Sequence, residues 1–394
     1  MTQPNNQTLN ADIVVVGAGL VGLAAAIVFA KQNRKVVLID AKKPVDTKQP
    51  AWDERIYALT PGTESWLKAL DVWQAVDLSR VNAIHAMHLW DEASTEPLVL
   101  SDNDANLSKL GLIIENQNLM HALWQQIHVL GVTVITDAEC KVLENTNQHI
   151  QLSLDGDTKV SAKLLVAADG VNSWVRQQAG ITLKQKYFHQ TAIVANFLAE
   201  KNHQKIARQW FAPHETLALL PLPDQYVSMV WSVSTERADE LLALSSEGLA
   251  EKVETQSRNV LGKLQPAGKT LSFTLNQQVA TQLIAGRVVL VGDAAHQIHP
   301  MAGQGVNLGF RDVMELQNLL AASHLLQDIG ENAFLRKCER SRRADIATMS
   351  ALTTGLDYLF ASDINLVKKL AHWGLGQLNR QTTLKRLLIQ QAAA

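Results

Sequence analysis

The sequence predicts an α/β protein: a domain built on a parallel sheet, interrupted by a second domain of antiparallel strands, and followed by a helical tail. Three observations lead there. A short β-branched run at 13–16 breaks into a glycine-rich turn, and an alanine-rich stretch and a second apolar run follow it. Strand-like segments fill the chain from about Lys184 to Asn276. The α/β pattern then resumes near Arg287, as it would if the first domain were split by insertion of the second.

Taken in order, 13–16 reads as a buried strand, 20–31 as a helix of good propensity and 36–39 as the strand closing a βαβ unit. Residues 149–154 alternate, and 162–167 is continuously apolar up to Asp169-Gly170, so both are expected strands. Strands are expected at 191–197, 216–220 and 226–233, with a helical interruption at 236–261. A buried strand at 287–291, a glycine-rich loop and a helix at 305–326 follow. The stretch 333–394 reads as helical, with Gly374 and Gly376 as breaks. These elements divide the chain into a nucleotide-binding domain at 1–75, 109–183 and 279–330, a substrate domain at 76–108 and 184–278, and a helical region at 331–394.

Composition narrows the function. Lys plus Arg number 36 against 38 Asp plus Glu, a net charge of -2, so no basic field exists to hold a nucleic acid. Cys140 and Cys338 stand far apart, without metal-ligand spacing, and fit a reducing compartment. The polar start lacks signal-peptide character and no apolar run reaches the roughly 18 residues of a membrane span. A cytoplasmic protein is expected, with any membrane contact peripheral.

Gly17-Ala18-Gly19-Leu20-Val21-Gly22 is GxGxxG between a predicted strand and a predicted helix. Its glycines make the turn, admit a pyrophosphate to the backbone and allow close helix packing, while the helix N-terminus faces the anion. Asp40 ends the second strand, 23 residues after Gly17, where a carboxylate accepts hydrogen bonds from ribose hydroxyls. A Rossmann-type dinucleotide site follows, with NAD and FAD both open at this point.

Later motifs separate the two. Ala168-Asp169-Gly170-Val171-Asn172-Ser173 with Arg176, and Gly292-Asp293-Ala294-Ala295-His296, resemble the DG and GD fingerprints of single-component flavin monooxygenases. The stretch from His299 through Pro300, Met301, Ala302, Gly303, Gln304, Gly305, Val306 and Asn307 to Gly309, with Asp312, resembles the signature of the FAD-dependent ring hydroxylases of ubiquinone biosynthesis. Asp53-Glu54-Arg55, Ile114-Glu115-Asn116 and the region from Gly374 to Lys385 agree in order, so the resemblance spans almost the whole chain.

The resemblance implies a p-hydroxybenzoate hydroxylase-like fold, FAD as cofactor, NAD(P)H or another donor as reductant, and insertion of one oxygen atom of O2 into a polyprenylated phenol. It implies that Gly17, Gly19, Gly22, Asp40, Arg55, Asn116, Asp169, Gly292 and Asp293 hold FAD. Pro300, Gly303, Gln304, Gly305, Val306 and Asn307 would lie against the isoalloxazine, with Pro300, Gly303 and Gln304 nearest the chemistry. Plainer readings stand beside these: a helix cap for Asp293 and Asn116, a turn residue for Asp169, a helix-start cation for Arg55. His296 and His299 read more naturally as hydrogen-bonded loop histidines than as acid–base groups.

Oxygen transfer needs a water-poor pocket, and Trp210, Phe211, Leu219, Pro221 and Trp231 are candidates for its wall, against a plain core-packing role. Asn172-Ser173-Trp174 and Ala207-Arg208-Gln209 resemble the branch acting at ring position C5. From Arg336 onward ten Lys or Arg face four Asp or Glu. That local excess suits a helix docking on a membrane surface or on other ubiquinone-biosynthesis proteins, and equally a solvated face packed on the flavin domain. Two competing readings are a related flavin enzyme, where a halogenase is disfavoured because Trp231 is followed by Ser232-Val233-Ser234, and a scaffold that keeps FAD structurally.

Overall fold

The computed structural model describes residues 8–43, 51–92, 94–298, 305–324 and 327–361, with six single positions between 381 and 390. Its first layer is a six-stranded sheet in the order Ile284–Ala285, Val288–Leu290, Leu164–Ala167, Ile13–Val16, Val36–Ile39, Thr133–Ile135, parallel throughout except at the first pair. The four central strands are buried along their whole length, which is why they read as unbroken apolar runs rather than alternating ones. The helix Leu20–Lys31 packs among the helices Asn116–Val129 and Gly305–Ala321, and nine of its residues are buried. It is apolar all round because it is covered all round.

The run expected as one strand at 162–167 is divided between two sheets. Lys159–Ala162 belongs to a four-stranded sheet with Thr8–Asn10, Ile150–Leu154 and Cys140–Asn145, and Leu164–Ala167 to the six-stranded one. Lys163 marks the crossing, its ammonium turned outward to Asp12 at 2.9 Å.

The second layer is a nine-stranded sheet centred on Leu183–Ala199, Tyr226–Ser234, Glu215–Pro221 and Leu271–Ala280. It is antiparallel except where Ala86–Trp90 runs parallel to Ile206–Ala212. One face is covered by the helices Thr235–Leu242 and Ser246–Gln256, over a core of Ile193, Phe197, Leu217, Met229 and Trp231 with Trp90 stacked on Trp210 at 4.9 Å. The helical interruption expected at 236–261 is therefore two helices, the second started by Ser245, whose hydroxyl accepts from the Gly248 amide. Against the other face lies a small sheet of Ile56–Leu59, Gly111–Glu115 and Val81–Ile84, through a cluster of Ile84, Ile113, Ala207 and Leu222.

The helix expected at 305–326 stops at Ala321. A helix from Asn332 to Ala361 then crosses from the first layer towards the second, where Thr354 Oγ1 meets Gln277 Oε1 at 3.5 Å. Gly374 and Gly376 lie outside the described residues.

Candidate active site

Parallel strands deliver their following loops to one edge, and here four such loops meet. Gly17–Gly22, Asp40, Asp169-Gly170 and Gly292-Asp293 all leave the carboxyl ends of adjacent strands, on either side of Ile13–Val16, where the strand order reverses. Gly17 has φ +103°, and a Cβ there would stand 2.3 Å from the Ala168 carbonyl oxygen. A Cβ on Gly22 would stand 1.9 Å from the Gly17 oxygen. These two glycines are required by the protein itself. Gly19 differs: a Cβ there meets nothing within 4 Å, and as N-cap it offers the helix amides no side-chain partner. The cradle is thus open where an anion would enter. Asp40 accepts from the Ala18 amide at 2.6 Å and the Lys42 amide at 2.8 Å, which fixes its carboxylate at the rim with lone pairs to spare.

On the neighbouring loops, Asp169 accepts from Ser173 Oγ at 2.5 Å and the Val175 amide at 3.0 Å, so it holds the start of the helix Trp174–Gln178. Burial pushes its carboxyl up, against those two hydrogen bonds. Arg176 is buried and donates to the carbonyls of Ala294 at 3.0 Å and Val171 at 2.9 Å, tying the two fingerprint loops together. Asp293 behaves otherwise. Its side chain is open to solvent, yet protein surrounds it closely enough that desolvation raises its carboxyl above the ordinary value, with His296 pulling the other way. It is accessible and yet closely flanked by protein at the nucleotide edge.

Behind Asp293 stands an ion network that motif reading did not assign. Asp312, wholly buried, accepts from the Gly292 amide at 2.9 Å, lies 2.7 Å from His296 Nε2 and accepts from Arg342 Nε at 2.7 Å. Burial opposes its ionisation, but His296, Arg342 and the Gly292 amide outweigh that and hold the carboxyl below its ordinary range. His296 is thus a buried structural group. Gly309 allows this loop to pack, since a Cβ there would stand 2.7 Å from Val21 Cγ2 and 3.2 Å from the Gly292 Cα.

Asn307 is buried; its Oδ1 accepts from the Thr60 amide at 3.2 Å and Thr63 Oγ1 at 2.9 Å, and its Nδ2 donates to the Ala58 carbonyl at 2.8 Å. Its side chain pins the helix Gly305–Ala321 to the strand Ile56–Leu59. Gly305 and Val306, half-buried, open that helix. His299, Pro300, Gly303 and Gln304 lie outside the described residues.

That strand forms one wall of an apolar hollow of about 240 Å3, lined by Glu54, Arg55, Ile56 and Tyr57 on one side and by Val194, Val230 and Phe273 of the large sheet on the other. Its scaffold is polar and tight. Glu115 accepts from Arg80 Nε and Nη2 at 2.6 Å each and from the Asp53 amide at 2.6 Å, while Asp53 accepts from the Arg55 and Gln117 amides at 3.0 Å each. Arg55 is exposed, with its guanidinium over Phe273 at 5.6 Å. Asn116 opens the helix Asn116–Val129, and its amide donates to the Arg55 carbonyl at 2.8 Å.

Of the two roles open to the candidate wall residues, core packing is the one the structure gives to Trp210, Leu219 and Trp231. Trp210, Leu219 and Trp231 pack into the core under the two covering helices, and Pro221 is the cross-strand partner of Val227 in that same core. Strand alternation sends these odd-numbered positions of Glu215–Pro221 and Tyr226–Ser234 away from the hollow. Phe211, partner of Thr216, falls on the opposite face but does not line the hollow. Arg208 turns back to the carbonyls of His203 and Ile206, and neither 172–174 nor 207–209 contributes to the hollow.

The residues present fit FAD: an open, uncapped helix start, a carboxylate at the ribose position, and an enclosed carboxylate on the far loop. Comparison with known proteins agrees. Residues 10–351 match the family described as FAD binding domain. The chain is 34% identical over 385 residues to the ubiquinone hydroxylase UbiL of Rhodospirillum rubrum, covering 97% of this chain and 89% of that one. It is 32% identical to the 3-demethoxyubiquinol 3-hydroxylase of Escherichia coli, covering 97% and 98%. Human ubiquinone biosynthesis monooxygenase COQ6 is 30% identical, covering 97% and 92%. In fold it is similar to p-nitrophenol 4-monooxygenase PnpA from Pseudomonas putida, with a TM-score of 0.79 at 16% identity over 98% of both chains. The chain belongs to the FAD binding domain family, and within it to the FAD-dependent monooxygenases of the ubiquinone-hydroxylase group.

Proposed function

We propose that this protein hydroxylates the ring of a polyprenylated phenol intermediate of ubiquinone biosynthesis, inserting one atom of O2, with NAD(P)H as reductant. The observation that carries this reading is the apolar hollow between Arg55–Tyr57 and Val194, Val230 and Phe273. Asp293, whose charge acts on Tyr57, links it to the loops of the nucleotide edge. About 150 Å3 of apolar cavity is enough for benzene, so 240 Å3 admits one substituted ring and leaves a prenyl chain to exit through the open side. Bound FAD supplies the oxidising chemistry. Gly17, Gly19 and Gly22 with the following helix amides would hold the pyrophosphate, Asp40 the ribose, and Gly292 and Asp293 the ribityl side. Asp169 and Asn116 shape the surrounding loops. By the resemblance, Pro300, Gly303, Gln304, Gly305, Val306 and the Asn307 backbone would border the ring system of FAD. Apolar walls keep water from the reacting atoms.

We assign C5 as the position hydroxylated, on the resemblance of 172–174 and 207–209 to that branch, although the structure gives these side chains no place in the hollow. Incubating the purified holoprotein with NADPH, 18O2 and a short-chain 2-prenylphenol tests both levels. One 18O atom ortho to the phenol oxygen, at C5 when the phenol carbon is numbered C4 and the prenyl carbon C3, is expected, so that the product is a catechol. A product at another position overturns the C5 assignment alone, and no 18O in any ring product overturns the hydroxylase reading.

No helix among the described residues is long and apolar enough to cross a membrane. A cytoplasmic location with peripheral contact through the basic C-terminal region, to the inner membrane face or to other ubiquinone-biosynthesis proteins, completes the proposal. Flotation with anionic liposomes checks the membrane part, and retained binding after removal of residues 362–394 would contradict it.

A further inference from the structure

The hollow described above has apolar walls at Ile56, Val194, Val230 and Phe273, and its polar groups are unequal. Glu54 is engaged, its Oε1 accepting from the Lys269 amide at 3.0 Å. Arg55 lies over Phe273 and is exposed. Tyr57 is half-buried, and among the described residues its hydroxyl makes no hydrogen bond. The hydroxyl is thus left open at the wall of the hollow, and a ligand that covers it must offer a partner, because a hydroxyl desolvated and unpaired costs free energy.

We infer that the Tyr57 hydroxyl donates a hydrogen bond to the phenolic oxygen of the bound ring and so fixes which ring carbon faces the reacting edge of the site. The inference rests on the hydroxylase reading and deepens it. In its favour, Tyr57 sits on the strand pinned by Asn307 to the helix Gly305–Ala321, so its ring is held at the boundary between the nucleotide edge and the large sheet. Its position is fixed from both sides. Burial, and secondarily the negative charge of Asp293, push its hydroxyl up to about 12, against the pull of Arg55, which keeps it a neutral donor throughout the physiological range. An apolar hollow with one such donor binds a phenol in one orientation, whereas the unsubstituted hydrocarbon could turn within it.

The test compares two probes on the FAD-loaded protein, 2-prenylphenol and prenylbenzene, with binding followed by the flavin difference spectrum in the absence of reductant. Wild type should bind the phenol about tenfold more tightly than the hydrocarbon. In Tyr57→Phe that preference should fall to about twofold or less, with the FAD dissociation constant unchanged and hydroxylation spread over more than one ring carbon. Full retention of the preference in Tyr57→Phe would overturn the role of Tyr57 while leaving the hydroxylase reading intact. A wild type that binds neither probe would overturn both. Should Tyr57→Phe fail to retain FAD, Val230→Phe supplies a second variant: filling the hollow beside Tyr57 should abolish binding of both probes, and undiminished phenol binding in that variant would overturn the inference.

Discussion

At the residue scale, the cradle separates glycines the fold needs from one the ligand needs. Gly22→Ala brings a methyl to 1.9 Å from the Gly17 oxygen, so the turn itself must shift; low soluble yield and a lowered Tm are expected, seen by thermal melts. Gly19→Ala meets no protein atom within 4 Å. It should melt like wild type yet bind FAD at least tenfold more weakly, and unaltered FAD affinity in a fluorescence titration would contradict the assignment of the pyrophosphate to this turn. Asp312 carries a different prediction. Its carboxyl is held below the ordinary range, so the stability it contributes is fully present above the unfolded value of about 3.9 and is lost as pH falls through the lower folded value. Asp312→Asn leaves Arg342 with Asp345 and His296 without its carboxylate, and should cost about 1–3 kcal/mol at neutral pH. Denaturant titrations should show that difference narrowing below about pH 4, and a constant gap would argue against the pairing.

Elements show where sequence patterns were sufficient. Ile13–Val16, Leu20–Lys31 and Val36–Ile39 were legible because buried parallel strands and a covered helix leave continuous apolar signals. The strands Ile56–Leu59, Val81–Ile84 and Gly111–Glu115 were not, since Tyr57, Asn82 and Glu115 break their apolar runs and each gains its meaning only from the sheet it joins. The hollow was illegible for the same reason: Tyr57, Val194, Val230 and Phe273 come from four strands far apart in the chain. Motifs located the loops that surround the cofactor but gave no sign of which sheet face would meet them. Trp231 illustrates the ambiguity. An aromatic in a strand reads equally as wall or core, and here it is fully buried beneath the covering helices with its indole N–H on Glu215 at 2.7 Å. Trp231→Ala should therefore cost about 3–5 kcal/mol of stability while the fraction of NADPH oxidation coupled to hydroxylation stays near wild type at low temperature. A collapse of coupling without loss of stability would return Trp231 to the pocket.

For the whole molecule, the long helix Asn332–Ala361 reaches the nucleotide edge through a buried ion pair. Arg342 reaches from it to Asp312, and Asp312 in turn holds the Gly292 amide beside Asp293. The helix thereby supports the far rim of the nucleotide site, an arrangement no linear motif announces because its members are 30 and 20 residues apart. Arg342→Met should weaken FAD binding, with Arg342→Lys recovering part of it through the remaining charge, and equal affinity in all three proteins would refute the support. The roles of the hollow, the ring and the reductant all depend on FAD lying along the shared edge of the six-stranded sheet. The most direct measurement is the visible spectrum of the purified protein and of Asp293→Ala. Bound flavin absorbs near about 370 and 450 nm; a yellow wild type and a folded but colourless variant are the expected result. A colourless wild type that takes up no added FAD would contradict the account at its centre.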